Sequence, residues 1–437
     1  MTSKELSRVL GSAVSLRQRI AHAVSWTVLS VGAAQALLLV ATVLVARQLG
    51  VEDFGRWGLV YATLNTVVAF ITPSFGWALM RVAATLRDHS PHEMAQLSSA
   101  VLRVGVWACF ILALGLLILA PWASVYIFRD VGTQAALQII AAAVFANGVL
   151  ALQMSVLMGL EAFRASAALH ALRGVVSAAL MIGGVYWGGL MGTAWGFTLA
   201  SFLCAGMGGV LLSRVLRERG ISLRRTEIRC ATQVLRDMSL PSFLSTILSS
   251  VVMWLANVLL VYAPNGLMQV ALFSAASHWR TVILFLPTQI NHSTAPILAN
   301  LWSSGERNRL RAVVRASLLA NGLAAGVPAL ITIVAAELIL RLYTLDAPPG
   351  ILSFRVLMLS SVLTALCGLL GYFMVAVGQM WHGLAVNALW AISFVVVAVH
   401  MLETGVVGIS VAFLVSYLLL LLISTAIVAR GFSVSEQ

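Results

Sequence analysis

The sequence predicts an all-α polytopic membrane protein with about 12 transmembrane helices in two six-helix bundles. Three observations predict the membrane and the helix. Hydrophobic residues make up 60% of the chain and charged residues only 10%, against about 25% charged in a soluble domain. The apolar runs are long, as from Val31 to Val45 or Leu112 to Ala120 with their flanks, and they lack a period of two. Unpaired backbone groups are costly in hydrocarbon, so each crossing is a helix or part of a closed barrel, and such runs favour the helix.

Taken in order, residues 1–25 are the first element. Lys4, Arg8, Arg17 and Arg19 interleave with Leu6, Val9, Leu10, Ala13 and Ile20 at helical spacing. This predicts an amphipathic segment lying on the membrane surface. No small-residue cleavage site follows the first apolar run, so no secretory signal peptide is expected. At about 20 apolar residues per crossing, spans fall near 26–47, 57–80, 99–121, 135–159, 170–188 and 192–213. Six more fall near 239–262, 268–290, 313–336, 352–376, 381–400 and 405–429. The expected organisation is a bundle over 26–213, a basic linker over 214–238, a second bundle over 239–430 and a tail over 431–437.

The basic residues set the orientation. The N-terminal segment, the even-numbered loops and the C-terminus hold 21 of the 27 Lys and Arg residues, and the opposite side holds five. Both termini are therefore expected in the cytoplasm. The net charge of +12 is then a topology signal and an attraction to anionic lipid headgroups, not a nucleic-acid footprint. Trp57, Trp122, Trp187, Tyr262 and Tyr343 fall near outer ends and read as belt aromatics. The two halves show a faint repeat at a shift of 214 residues, with Pro73 and Pro287 in register in the second helix of each half. An even number of spans per half places the repeat axis along the membrane normal.

No enzyme constellation appears. The sequence has no HExxH, GxSxG or phosphate-cradling GxxxxGK[ST] motif. Its eight histidines and four cysteines lack metal or disulfide spacing. No catalytic residue, metal or cofactor is expected, and the pattern reads as a transporter rather than an enzyme. A charge inside a span is normally paired, cavity-facing or functional. Arg280 sits about midway through the eighth span, on a polar stripe with Ser274, Ser277, Pro287 and Asn291. No Asp or Glu falls in the middle of any span. A buried cation without a buried acid favours an anionic substrate over a cationic drug, and a guanidinium fork suits phosphate or carboxylate. Glu161, Arg164 and Arg173 flank the connection between spans four and five at the cytoplasmic mouth, a place to grip substrate, and Glu161 and Arg164 stand at i, i+3, where they could pair. Trp77 and Trp279 are candidates for cavity lining, since aromatic faces suit sugar rings.

The stretch Ala46-Arg47-Gln48-Leu49-Gly50-Val51-Glu52-Asp53-Phe54-Gly55-Arg56-Trp57 resembles the first-loop signature of the polysaccharide-export and oligosaccharide-lipid flippases, in the superfamily of the multidrug and toxin extruders. The run Phe70 to Asp88, with Pro73, Gly76, Arg81 and Ala84, is similar to that family's second helix, and Gly159 to Arg164 to its fourth-helix exit. The resemblance implies a MATE-like fold, with two bundles around a cavity open alternately to each side. It implies a polyprenyl-pyrophosphate-linked oligosaccharide as substrate, flipped to the outer leaflet of a bacterial inner membrane. On that reading Arg280 holds the phosphate. Ser277, Asn291, Thr63 and Thr66 hydrogen-bond sugar or headgroup, and Pro73 and Pro287 let two helices bend. Expected partners are the lipid-linked oligosaccharide, membrane lipids and polysaccharide polymerase machinery, with no nucleic acid. The alternatives are a multidrug exporter of the same fold, a lipid II flippase, and a membrane polysaccharide polymerase or ligase.

Overall fold

The computed structural model describes residues 3–87, 89–221, 240–345 and 347–433, with side chains over 31–428 of these, Ser242 excepted. Most of the expected linker 214–238, much of the tail 431–437 and the side chains of the segment 1–25 lie outside that description.

Among the described residues the chain is helical, without strands. Ten helical stretches are long and apolar enough to cross a membrane, and two of them, 31–86 and 163–218, run to 56 residues. A straight helix of that length would span about 84 Å, nearly three times the ~30 Å hydrocarbon core. Each of the two folds back at glycine. In the first, Gly50 adopts φ 74°, ψ 176°, a backbone region that side chains resist. It divides α1 (3–49) from α2 (51–86), and the reversal brings Leu38 and Tyr61 to the wall of one cavity. In the second, Gly188 and the left-handed Gly189 (φ 55°, ψ −130°) divide α5 (163–187) from α6 (190–218). Gly184 and Gly192 then face each other so closely that a Cβ on Gly184 would stand 2.2 Å from the Gly192 carbonyl oxygen.

With these two reversals the ten stretches make twelve crossings, matching the twelve predicted spans. The others are α3 (Pro91–Trp122), α4 (Gln134–Gly159), α7 (Leu240–Val261), α8 (Gly266–Ser303), α9 (Arg307–Val334), α10 (Pro348–Ala376), α11 (Met380–His400) and α12 (Val406–Ser433). The α1–α2 hairpin packs along the α5–α6 hairpin, which also holds α4. In the second half α10 touches α8, α9 and α12, while α11 joins α7 to α12. The two groups meet where the α1–α2 hairpin touches α7 and α8.

The two register prolines behave differently. The α-helical part of α2 stops at Ala69, and Pro73 sits in a π-helical turn, Thr72–Gly76, before the helix resumes at Trp77. A proline cannot donate to the carbonyl four residues back, and a wider turn accommodates its ring. Pro287 instead lies inside α8, which remains helical from Gly266 to Ser303.

On the side opposite the termini the two groups are sealed together. Arg47 Nε donates to the Leu342 carbonyl at 2.8 Å, and Tyr262 donates to the Tyr126 carbonyl at 3.2 Å. Arg129 lies 4.4 Å over the Tyr262 ring, and Phe54 packs against Tyr343. Gly55 touches the backbone of Leu267. Arg56 pairs with Asp53 at 2.6 Å and Asp130 at 2.9 Å. Trp122 and Trp187 are exposed, as belt residues should be, but Trp57 and Tyr343 are fully buried. They belong to this seal and to the space beneath it, not to the belt.

Candidate functional site

Below the seal, two cavities of about 380 Å³ each lie between the two groups of helices. They share five residues, Trp57, Tyr61, Asn65, His278 and Thr281, which form the seam where α2 meets α8. Tyr61 stacks on Trp57 at 5.8 Å and tilts against His278 at 5.8 Å. The first cavity is walled by α1, α2, α5, α6 and α8, and Arg173 and His170 reach it from α5. Gln35 and Thr42 join them from α1. The second lies between α2 and α7 and carries hydroxyl and aromatic side chains. No carboxylate is among the described residues lining either cavity.

Arg173 is the permanent cation of the first cavity, since a guanidinium keeps its proton across the working range. Its placement follows from local structure. The fourth span ends at Gly159, Glu161 turns the chain in the left-handed region (φ 54°), and α5 begins at Phe163. Arg173 is thus ten residues, about 15 Å, into its helix, half the thickness of the hydrocarbon core. Its Nη2 donates to Asn147 Oδ1 on α4 at 3.2 Å. That amide is locked, because Asn147 Nδ2 donates to Ser201 Oγ at 2.8 Å and to the Ala143 carbonyl at 2.9 Å. With both amide hydrogens committed, Oδ1 can only accept. Asn147 therefore orients the guanidinium without cancelling its charge.

The sequence placed this charge elsewhere. Arg280 does not reach either cavity. It is 5% exposed and lies inside the second group of helices, with Nη2 donating to Tyr417 Oη at 2.9 Å and Thr364 Oγ1 at 3.2 Å. Nη1 approaches Met253 Sδ at 3.2 Å, the Phe413 ring lies 5.2 Å from the guanidinium, and Nε has no partner. Helical phase explains the error. At about 100° per residue, Ser274, Ser277, His278, Thr281 and Val282 make one arc of α8, and these line the cavities. Arg280 lies about 130° round from the centre of that arc, on the stripe of Pro287 and Asn291. Asn291 is likewise buried away from both cavities, with Oδ1 unpartnered. The polar face read from sequence is two faces.

The other expected site residues divide similarly. Ser277 and Thr66 line the second cavity. Thr63 lies beside it and accepts from Trp254 Nε1 at 3.0 Å, a bond across the two groups. Trp77 is 46% exposed and lines neither cavity, and Trp279 is half-buried outside both. Glu161 pairs with Arg87 at 2.7 Å rather than with Arg164, which is exposed. The left-handed turn at Glu161 breaks the i, i+3 helical geometry that their pairing required.

The sequence reading put Arg173 at the cytoplasmic mouth and not in the cavity, because it began the fifth span at 170 and counted this arginine with the loop. The apolar run from Ala165 to Leu172, interrupted by Ser166 and His170, is the signal that α5 starts earlier.

With this geometry in hand, the comparisons with known proteins fall into place. Residues 20–302 match the model of the family described as polysaccharide biosynthesis protein. The chain belongs to that family. The EPS I polysaccharide export inner membrane protein EpsE of Ralstonia nicotianae (strain ATCC BAA-1114 / GMI1000) is 26% identical over 392 residues, covering 87% of each chain. The fold is MATE-like. An inward-facing multidrug resistance MATE family transporter of the MOP superfamily superposes with a TM-score of 0.74 at 16% identity, over 91% of this chain and 95% of its own. A MOP superfamily transporter from Pyrococcus furiosus, described by the reverse polarity of its binding pocket, superposes at 0.68 and 16% identity, over 95% and 96%. The first-loop stretch Ala46 to Trp57 has a clear physical content in this family member. It holds the hairpin glycine, the Asp53–Arg56 pair, the Phe54 and Gly55 contacts of the seal, and Trp57 at the cavity seam.

Proposed function

We propose that this protein is a flippase for a polyprenyl-pyrophosphate-linked oligosaccharide. It moves this lipid from the cytoplasmic to the outer leaflet of the bacterial inner membrane, during synthesis of a surface polysaccharide such as an O-antigen or exopolysaccharide. The observation that carries the reading is Arg173, a cation facing the interlobe cavity and tethered by a neutral amide. A pyrophosphate is a doubly forked acceptor that matches a guanidinium. The family match and the export role named for EpsE support the polysaccharide pathway. The 21-to-5 division of basic residues supports cytoplasmic termini. The seal then closes the periplasmic side, and the cavity faces the compartment where the substrate is made.

Arg173 takes the role that the family resemblance implied for Arg280. The pyrophosphate sits at Arg173, beside His170 and His278, while the polyprenyl tail stays in lipid. Movement of the two groups about the α2–α8 seam then exchanges access from one side to the other, the π-turn at Pro73 giving α2 a place to bend. The Arg56 pairs with Asp53 and Asp130 hold the α1–α2 turn to the loop before α4, so the first group moves as a body.

Proteoliposomes loaded with a fluorescent polyprenyl-pyrophosphate oligosaccharide test the reading. Transbilayer movement faster than in protein-free vesicles, and slower for a neutral glycolipid of the same sugar, is the expected result. Equal rates for the charged and neutral lipids would overturn it.

The tether gives a sharper test. Asn147→Asp puts a carboxylate about 5 Å from the phosphate, a repulsion of about 3 kcal/mol at an effective dielectric of ~20. Affinity for the pyrophosphate lipid should fall by roughly 100-fold. Asn147→Ala, which loosens the guanidinium without adding charge, should cost less. Binding titrations on purified protein rank the two, and the opposite order would refute the orienting role.

A further inference from the structure

We propose that the second cavity, between α2 and α7, is a sugar subsite, separate from the pyrophosphate site at Arg173. The inference rests on the flippase reading and divides its substrate between two chambers.

The chemistry of the walls carries it. Arg173 and His170 line the first cavity only, and no Asp, Glu, Lys or Arg is among the described residues lining the second. The second instead carries neutral hydroxyls set into a mostly apolar and aromatic wall. Ser249 donates to the Ser245 carbonyl at 2.9 Å, Ser250 to Thr246 at 3.0 Å and Thr66 to Ala62 at 3.0 Å. Each hydroxyl has one proton and two lone pairs. A proton committed to the helix leaves oxygen lone pairs to receive donors from a ligand. Neutral acceptors among aromatic and apolar faces suit a ligand rich in hydroxyl donors, without charge and with C–H faces between its hydroxyls, which is the chemistry of an oligosaccharide.

A second observation points to a ligand. Ser274 is 7% exposed, lines the cavity and has no hydrogen-bond partner among the described residues. Ser277 lines the same wall, and its Oγ is buried without a partner. Buried hydroxyls are ordinarily satisfied, and the unpartnered one of Ser277 lies here on the cavity face of α8, one turn from Ser274. Trp57 and Tyr61, stacked at 5.8 Å, stand at the seam common to both chambers. An aromatic face there meets the first sugar, next to the pyrophosphate, and the distal sugars extend toward α7.

Two lipids separate this inference from the reading beneath it: polyprenyl pyrophosphate bearing the oligosaccharide, and sugar-free polyprenyl pyrophosphate. Both are titrated against the purified full chain in detergent. The wild-type protein should bind the sugar-bearing lipid the more tightly. The double variant Ser274→Ala, Ser277→Ala should weaken that lipid roughly tenfold and leave the sugar-free lipid within about twofold. Ser249→Leu, which fills the chamber from α7, should act the same way through an independent position, and thermal melts of all variants confirm folding. Equal affinity of the wild-type protein for the two lipids overturns the subsite and leaves the flippase reading standing. Equal loss for both lipids, or no loss for either, also overturns it. Failure of the wild-type protein to bind either lipid overturns both.

Discussion

Arg173→Ala should abolish measurable flipping in proteoliposomes and leave cells without the surface polysaccharide, at unchanged expression. On the proposed flippase reading the guanidinium would give charge-assisted hydrogen bonds to the pyrophosphate, in a space with no carboxylate among its described lining residues. Each such bond contributes about 1.5–3 kcal/mol, so affinity should drop by roughly 10- to 150-fold, more if two are lost. Arg173→Lys keeps the charge and loses the fork, and should fall between wild type and Ala. The informative contrast is Arg280. Arg280→Met replaces a buried, uncompensated cation by an apolar side chain of similar length, a change that is often neutral or stabilising. It should leave lipid affinity unchanged whatever it does to the melting temperature. If Arg280→Met abolishes binding and Arg173→Ala does not, the anion site lies where the sequence first suggested, and the reading given to Arg173 is wrong.

Gly55→Ala should trap the protein with its sealed side, the side opposite the termini, open and reduce transport tenfold or more. A Cβ at Gly55 would stand 2.2 Å from the Leu267 carbonyl oxygen and 2.9 Å from its carbon. That is about 1 Å short of an ordinary C···O contact. The obstacle is backbone, so no rotamer change relieves it, and the two groups must separate at this point. Separation also strains the neighbouring Phe54–Tyr343 and Arg47–Leu342 contacts. A cysteine introduced at Tyr126, whose carbonyl accepts from Tyr262 across the seal, reports the state through labelling by a membrane-impermeant thiol reagent. The background should lack the native cysteines. Faster labelling and slower transport in Gly55→Ala than in the parent are expected. Unchanged labelling with full transport would mean that this contact is not a required part of the closed state.

Helix number and membrane class were legible because they follow from composition and run length. Twelve predicted spans correspond to twelve crossings, including the two hairpins whose only loop is glycine. The first-loop stretch identified the family for a related reason. Gly50, Asp53, Gly55 and Arg56 each meet a local geometric demand, and such demands are written in residue type. The site was legible only in part. Ser277 and Thr66 line the second cavity, each on a helix face that could be counted from the sequence. Arg280 was misplaced because a polar stripe on a helix states that the residues share a phase, not which neighbour that phase meets. Arg173 was placed at the cytoplasmic mouth because nearly two turns of helix, Phe163 to Leu169, were assigned to the loop.

The sequence alone determined that the chain lives in lipid, crosses it about twelve times as helices, and keeps acids out of its spans. Each of these follows from the cost of unpaired backbone and of charge in hydrocarbon, a cost that any single span feels without its neighbours. Which cation faces the cavity was decided only by tertiary structure. Arg173 and Arg280 are the same side chain at similar depth, and they differ in what stands opposite. One meets the interlobe space and an amide held by Ser201 and Ala143, the other a closed wall of Met253, Thr364 and Tyr417. Those neighbours come from helices distant in sequence, and no periodicity within one helix encodes them.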